Sequence, residues 1–251
     1  MDNKEDKIDF VITWVDGNDP KWQEERNHYA ALEHREFDNN NARFRDWDTL
    51  RYWFRGIEKF APWVNKVFFV TYGHKPEWLN TNHPKLVVVK HEDFIPHQYL
   101  PTFSSNVIEF YFNQIKGLSE KFVYFNDDTA LLDYVEPERF FKKGLPCDLG
   151  RMSIMEHAQP TIFDSNVFLA TALVNKHFDK KTAIRKNRSK WYSLKYIGIS
   201  WNNLSMCRLT NFPGFMIRHV PSAPASPPST RTLRNLLASA SSSWPTSHPA
   251  T

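Results

Sequence analysis

The sequence predicts an α/β fold, in which a mostly parallel, Rossmann-like sheet is flanked by helices. Short apolar runs typical of strands alternate with amphipathic segments of helical length, and this order favours right-handed crossovers between parallel strands. The chain of 251 residues is also long and aromatic enough to bury a sizeable core. A helical C-terminal part and a low-complexity tail are expected to follow the sheet.

Four strands are predicted in the first half of the chain, each rich in β-branched or aromatic residues. They cover residues 8–15, 66–71, 86–90 and 122–126. An Asp-Gly turn ends the first strand, and Pro20 then suits the first turn of a helix that continues to Leu32.

Further helices are predicted from apolar positions at helical spacing. Residues 46–60 form an amphipathic helix, and residues 106–118 form another. If the start of the latter helix is only capped, Asn106 would be its N-cap and Glu109 its capping-box partner. Residues 34–43 are polar and predict a loop. Beyond Pro137, a buried helix and two shorter helices are expected over residues 165–178, 189–196 and 200–209.

The net charge argues against a nucleic-acid partner. It is +4, and two of these positive charges come from Arg231 and Arg234 in residues 221–251, which contain no acidic residue. The remaining net charge of +2 on residues 1–220 is too small and too scattered for a nucleic-acid-binding surface.

The cysteine content and the hydropathy indicate a cytoplasmic protein. Cys147 and Cys207 are too few for a disulfide framework or a four-cysteine zinc site. No apolar stretch approaches the ~20 residues of a membrane span. The charged start of the chain is unlike a secretory signal, so we expect a reduced, cytoplasmic protein without a membrane span.

The composition changes abruptly at residue 221. About three-quarters of residues 221–251 are Pro, Ser, Thr or Ala, whereas residues 1–220 are rich in aromatic side chains. This low complexity predicts a disordered tail, and a stretch translated out of frame would give the same abrupt change. We therefore place one domain in residues 1–220.

The most informative polar cluster is Asn126-Asp127-Asp128, which directly follows an apolar run. An unpaired carboxylate is costly to bury, so these residues are expected at the carboxyl edge of the sheet, where α/β folds bind ligands. Carboxylate and amide oxygens suit a hard divalent cation that carries phosphate groups. The alternative is that this segment is only a polar turn.

Two other polar clusters are expected at the same edge. Residues 13–19 contain Asp16 and Gly17, which fit either a ribose-binding turn or an ordinary Asp-Gly turn before a helix cap. Residues 101–106 offer hydroxyls and helix N–H groups to a phosphate, or else plain capping groups. In a doubly wound sheet all three clusters converge on one cleft, which favours a functional role for them together.

Other common sites are not indicated. The chain has no G-x-G-x-x-G, Walker A or G-x-S-x-G motif, and its histidines lack zinc-binding spacing. Four arginines surround the start of the second helix and suit either phosphate binding or a solvated helix face. These are Arg43, Arg45, Arg51 and Arg55.

Several long segments together resemble the Stealth family of sugar-phosphate transferases. The first conserved region of that family resembles "IDFVITWVDGNDPKW", residues 8–22. The second resembles residues 43–132, which include "LRYWFRGIEKFAPWVNKVFFVTYGHKPEWL", "HEDFIP", "LPTFSSNVIE" and "GLSEKFVYFNDD". The segment "IRHVP", residues 217–221, is similar to the opening of the third region. The low-complexity tail then replaces the rest, so the resemblance implies a chain truncated or frame-shifted after residue 220.

The resemblance implies a GT-A/Rossmann-like fold and a reaction. A hexose-1-phosphate would move from a nucleotide sugar of the UDP-N-acetylhexosamine type to a glycan hydroxyl, in capsular or cell-surface polysaccharide synthesis. The protein could then work at the periphery of a polysaccharide assembly complex. Two alternatives remain open: a metal-dependent GT-A-like glycosyltransferase, and an inactive remnant that binds nucleotide sugar.

The resemblance also implies roles for individual residues. Mg²⁺ (or Mn²⁺) would be held by Asp127 and Asp128 with Asn126, and His219 would be the general base. The two aspartates can serve together only if the chain turns there, because adjacent strand residues point to opposite faces. The substrate-binding residues would be Thr13, Asp16, Gly17, Arg51, Ser104, Ser105 and Glu109.

Overall fold

The computed structural model describes residues 7–32 and 48–147, and parts of the range 169–197. These residues fall into two compact units, one within 7–147 and the other within 169–197. The predicted domain boundary, tail and 34–43 loop lie outside the described residues, as does the helix predicted over 200–209. None of the described helices has the length and apolar character needed to cross a membrane.

A four-stranded parallel sheet forms the centre of the first unit, as predicted. Its strands are β1 (Ile8–Trp14), β2 (Val67–Thr71), β3 (Leu86–Lys90) and β4 (Lys121–Phe125). They lie in the order β3-β2-β1-β4, so β1 has a parallel neighbour on each side. The chain builds outward from β1 to β3 and then crosses to the other side of β1. The strand order therefore reverses between β1 and β4, which is where open α/β sheets bind ligands.

Alternating residues of the strands supply two separate cores. Phe10 and Ile12 of β1 face the core beneath the second helix, whereas Val11 faces the opposite side. All three side chains are fully buried. A sheet covered on both faces explains why the strands are continuous apolar runs rather than alternating ones.

The first two helices differ in how well the sequence predicted them. Helix α1 (Pro20–Leu32) has the predicted bounds, whereas α2 (Leu50–Phe60) begins four residues later than predicted. Asp48 has a φ of 54°, in the left-handed region that an α-helix cannot include. Thr49 is the N-cap, and the predicted apolar positions Trp53 and Ile57 are buried.

The predicted helix over residues 106–118 is wrong in length and in its cap. Helix α3 is only Ser105–Phe110, and a 3₁₀ turn over Phe112–Gln114 follows it. The tighter turn places Phe112 against Phe122 of β4, so packing on the sheet overrides helix periodicity. Ser104, not Asn106, is the N-cap. Glu109 does not close a capping box, because its carboxylate accepts a hydrogen bond from Tyr124.

A small hairpin after β4 was not predicted. Strands β5 (Phe141–Lys142) and β6 (Leu145–Pro146) pair antiparallel. Lys143 and Gly144 join them with φ values of 52° and 76°, as a two-residue hairpin turn of the mirror-image type requires. These strands are too short to show an alternating pattern in the sequence.

Two short helices with described bounds lie in the second unit. Helix α4 (Lys180–Lys186) begins at Asp179, whose carboxylate accepts the Thr182 N–H at 2.7 Å. Helix α5 (Arg188–Trp191) follows and covers part of the helix predicted over 189–196. The described residues of the predicted 165–178 helix are helical, but Leu169 is 62% exposed, so the expected burial is wrong there.

A buried carboxylate holds the amino ends of the strands together. Asp9 of β1 is fully buried. Its Oδ1 accepts the Asn65 side-chain N–H at 2.7 Å and the Lys66 N–H at 3.1 Å. Its Oδ2 accepts the Ser119 N–H at 2.7 Å. Asp9 therefore joins the segments that lead into β2 and β4 to the strand between them.

Replacing Asp9 should destabilise the first unit strongly. Asp9→Ala leaves two partly buried N–H groups and one amide without their acceptor, so the free energy of unfolding should fall by about 2–4 kcal/mol. Urea unfolding followed by circular dichroism measures this change. Asp133→Ala, at an exposed aspartate with one local bond, is the control and should change stability by about 0.5 kcal/mol or less. A loss below about 1 kcal/mol for Asp9→Ala would contradict the role.

Candidate functional site

The acidic cluster forms a turn immediately after β4. The Thr129 N–H and the Thr129 hydroxyl both donate to the Asn126 carbonyl, at 3.1 and 2.8 Å. The polar turn considered from the sequence is therefore present. Asp127 and Asp128 are exposed at its corner. Because the chain turns here, strand geometry no longer forces the two carboxylates to opposite faces, which the metal-binding prediction required.

Helix α2 supports the acidic turn and the segment after it from end to end. At the start of the helix, the Thr49 hydroxyl donates to the Asp127 carbonyl at 3.4 Å. At its end, the Val135 N–H donates to the Phe60 carbonyl at 3.0 Å. The Trp63 indole N–H then donates to the Val135 carbonyl at 2.6 Å. The turn is thus fastened to the core through main-chain atoms.

Between these two ends, α2 approaches the same segment closely at Gly56. A Cβ atom at this position would lie 3.0 Å from the Leu131 carbonyl oxygen. Such a distance is tighter than most Cβ contacts, so the Leu131 backbone would have to shift by a few tenths of an ångström. Glycine at this position therefore allows the segment to lie directly against the helix.

The carboxyl end of β1 forms the second predicted cluster. The Asp16 carboxylate accepts the Asn18 N–H at 2.9 Å, and the Asp19 carboxylate accepts the Trp22 N–H at 2.7 Å. Gly17 is buried within this turn. The Asp-Gly turn followed by a helix cap, which the sequence left open, is thus present. It places Asp16 and Gly17 at the same edge of the sheet as the acidic turn.

The carboxyl end of β2 anchors α1 beside this turn. His74 Nε2 lies 3.7 Å from an oxygen of Asp19. The hydroxyl of Tyr72 donates to the Glu25 carboxylate on α1. These contacts fix the start of α1, and with it the Asp16 turn, against the sheet.

A chain of hydrogen bonds links α3, β4 and β1 at the point where the strand order reverses. The Tyr124 hydroxyl donates to the Glu109 carboxylate at 3.3 Å, and it lies 3.1 Å from the Thr13 hydroxyl. Burial raises the pKa of Glu109, an effect that the Tyr124 hydrogen bond opposes. Burial, followed by the Glu109 charge, raises the pKa of Tyr124. Asp127 is close enough to add to that rise.

The other predicted site residues lie at the start of α3, on α2, or outside the described residues. Ser104 is the N-cap of α3, and Ser105 lies one helical turn before Glu109 on the same face. Arg51 pairs with Asp48 at 3.4 Å and its guanidinium lies 5.4 Å from the centre of the Trp78 ring. The predicted general base, His219, and two of the four arginines, Arg43 and Arg45, lie outside the described residues.

The donor atoms of the acidic turn fit the predicted cation. Within residues 7–32, 48–147 and the described parts of 169–197, no three His, Cys, Asp or Glu side chains form a metal-binding group. Mg²⁺ commonly binds through only one or two carboxylates, completing its shell with water and substrate phosphates. Asp127, Asp128 and the Asn126 amide oxygen would supply such a partial set.

An apolar groove lies apart from this edge. It has a volume of about 550 Å³ and is lined mainly by residues of α2, of the segment before β3 and of the start of β3, including Phe54, Trp78 and Leu86. It contains none of the predicted site residues. The predicted site residues that the structure describes therefore do not line this groove.

Three residues that shape the site were not singled out from the sequence. Tyr124 carries the only hydroxyl in the apolar run of β4, and a tyrosine hydroxyl within a buried strand usually has a partner. That signal could have identified it. Thr49 and Gly56 give no such signal, because their partners are main-chain carbonyls distant in the sequence.

The fold and the site define an α/β, GT-A-like protein with an acidic turn at the carboxyl ends of its strands. Comparison with known families gives two matches, to Stealth protein conserved region 1 over residues 6–31 and to conserved region 2 over residues 43–147. The chain therefore belongs to the Stealth family.

Curated relatives agree with this assignment. The chain is 45% identical over 214 residues to the capsular polysaccharide phosphotransferase WcwK of Streptococcus pneumoniae, a match that covers 85% of this chain and 64% of the relative. It is 43% identical over 211 residues to the capsular polysaccharide phosphotransferase eps5J of Streptococcus thermophilus, covering 82% and 85%. It is 54% identical over 143 residues to the receptor polysaccharide phosphotransferase WefC of Streptococcus oralis, covering 56% and 43%.

A side chain at position 56 should weaken the packing of α2 against the segment that follows the acidic turn. Gly56→Val must displace the Leu131 backbone, so the free energy of unfolding should fall by about 1–3 kcal/mol. Glu58→Val places the same side chain on an exposed position of α2 and serves as the matched control. Chemical denaturation of both variants measures the difference. Equal stability of the two variants would show that Gly56 has no packing role.

Proposed function

We propose that this protein transfers a sugar-1-phosphate from a nucleotide sugar to a hydroxyl of a glycan, in the synthesis of capsular or other cell-surface polysaccharide. The observation that carries the proposal is the exposed acidic turn at the end of β4, beside β1, where the strand order reverses. Doubly wound sheets bind phosphorylated ligands at such a position. The relatives named as polysaccharide phosphotransferases support the proposal.

The proposed reaction exchanges one phosphorus–oxygen bond for another. The acceptor oxygen forms a bond to the phosphorus nearest the donor sugar, and the bond from that phosphorus to the nucleoside monophosphate breaks. The acceptor proton passes to a base. Negative charge spreads over the phosphoryl oxygens during this exchange, so catalysis depends mainly on positioning and on cationic groups.

The acidic turn would bind the diphosphate of the donor. Asp127 and Asp128, with Asn126, would hold Mg²⁺ (or Mn²⁺). A bound cation would neutralise charge on the two phosphates. The carboxylates themselves therefore set where the diphosphate lies relative to the acceptor.

The remaining site residues would bind the other parts of the substrates. Thr13, Asp16 and Gly17 would line the nucleotide or sugar pocket at the end of β1. Glu109 would accept a hydrogen bond from a substrate hydroxyl, because its carboxylate is half-buried at the same edge.

The side chains proposed to contact phosphate differ in whether they already have other partners. Ser104 and Ser105 would donate to phosphate at the start of α3. Arg51 could do so only by exchanging its Asp48 and Trp78 contacts for the ligand. His219 would take the acceptor proton, a role that suits an imidazole. The proposal also places the reaction in the cytoplasm.

The nucleotide product distinguishes this reaction from glycosyl transfer. With a UDP-N-acetylhexosamine donor and a glycan acceptor, sugar-1-phosphate transfer should release UMP, because the bond between the two phosphates breaks. Chromatography of the nucleotide products measures this, with the Streptococcus pneumoniae relative as the reference enzyme. UDP as the product would favour a glycosyltransferase. Donor binding by calorimetry without any turnover, while the reference enzyme is active, would favour an inactive binding protein.

Removing the charge of the acidic turn should abolish metal-dependent turnover. The double variant Asp127→Asn with Asp128→Asn keeps the size of both side chains but removes the anionic cation ligands. Turnover should fall by at least about 100-fold, while the unfolding midpoint stays close to that of the parent protein. Asp133→Asn, at an exposed aspartate further along the same segment, is the control. Turnover within threefold of the parent would remove both aspartates from the site.

A further inference from the structure

We propose that Tyr124 is a positioning residue, whose hydroxyl fixes the Glu109 carboxylate of α3 relative to Thr13 of β1. The inference rests on the proposed function, because it assigns Tyr124 to the support of two groups that would bind substrate. Tyr124 lies on β4 between those groups, two residues before the acidic turn.

The ring of Tyr124 is held rigidly by its surroundings. It packs edge-on against Phe112, with ring centroids 5.1 Å apart, within the core on one face of the sheet. The backbone of β4 is paired with β1, and Tyr124 lies opposite Val11. Strand pairing and ring packing together place the hydroxyl next to both of its partners.

The protons available on Glu109, Tyr124 and Thr13 decide which of these groups donates each hydrogen bond. An ionised carboxylate only accepts hydrogen bonds, and a phenol has one proton to donate. When Glu109 is ionised, Tyr124 therefore donates to Glu109, and Thr13 must donate to the Tyr124 oxygen. One hydroxyl group thus fixes the carboxylate of Glu109 and the side-chain rotamer of Thr13 at the same time.

Glu109 depends on this contact because its own helix gives little support. Helix α3 has six residues, and its N-cap makes no side-chain hydrogen bond. Such a short helix is not stable by itself and is placed by its contacts with the sheet. The bond from Tyr124 joins the C-terminal end of α3 to β4, next to the acidic turn.

A double-mutant cycle tests whether Tyr124 acts through Glu109. Tyr124→Phe keeps the ring and removes the hydroxyl, so kcat for sugar-1-phosphate transfer should fall by about 10- to 100-fold with a small change in KM. In a Glu109→Gln background, the same substitution should lower kcat less than twofold further. The matched control is Tyr111→Phe, a partly buried tyrosine of the same core whose hydrogen-bond partner is Tyr99.

Each outcome of the cycle supports or overturns the inference. Circular dichroism and the unfolding midpoint of every variant separate loss of folding from loss of turnover. If Tyr124→Phe does not fold, Tyr124→Met, which also lacks the hydroxyl and keeps an apolar side chain, takes its place in both Glu109 backgrounds. Equal losses in the two backgrounds, or unchanged kcat in Tyr124→Phe, would overturn the positioning role and leave the proposed function intact. Absence of turnover in the parent protein, with an active Streptococcus pneumoniae reference, would overturn both.

Discussion

The pairing of β1 with a parallel strand on each side is the constraint on which the rest of the structure depends. Parallel pairing on both edges buries every residue of the strand except the partly buried Thr13, and it favours apolar side chains on both faces. It also brings the carboxyl ends of β1 and β4 next to each other, although more than a hundred residues separate them. The Asp16 turn and the acidic turn are neighbours only because of this pairing.

Carboxylates at the two edges of the sheet have opposite roles. Asp9 lies at the amino edge, is fully buried, and accepts three hydrogen bonds that hold the strand entries together. Asp127 and Asp128 lie at the carboxyl edge and are exposed. A buried carboxylate must be satisfied by the protein itself, whereas an exposed one remains accessible to a ligand. The acidic residue that stabilises the sheet is therefore different from the acidic residues that the proposed function assigns to the ligand.

Local patterns predicted the strands and α1 well, because each is defined by its own residues. The apolar runs and the turn residues around Pro20 gave correct bounds to within one or two residues. The start of α2 was wrong, since the left-handed backbone of Asp48 has no signature in the sequence. The length of α3 was wrong as well, because the sheet dictates how Phe112 packs.

The site was only partly predictable for the same reason. Asp127, Asp128 and the Asp16 turn follow directly from strand ends, so their common edge could be inferred. Glu109 looked like a capping residue, and only the contact with Tyr124, fifteen positions further along, shows a different partner. Contacts of that kind arise from the register of β4 and the placement of α3, which no short sequence pattern specifies.

The way in which the acidic turn is attached to α2 has an evolutionary consequence. The bonds from Thr49 and Phe60 use main-chain atoms of the attached segment, at Asp127 and Val135. Substitutions within that segment can therefore alter its chemical preferences while the scaffold that carries it persists. Related proteins could therefore vary the exposed side chains of this segment without rebuilding the framework beneath it.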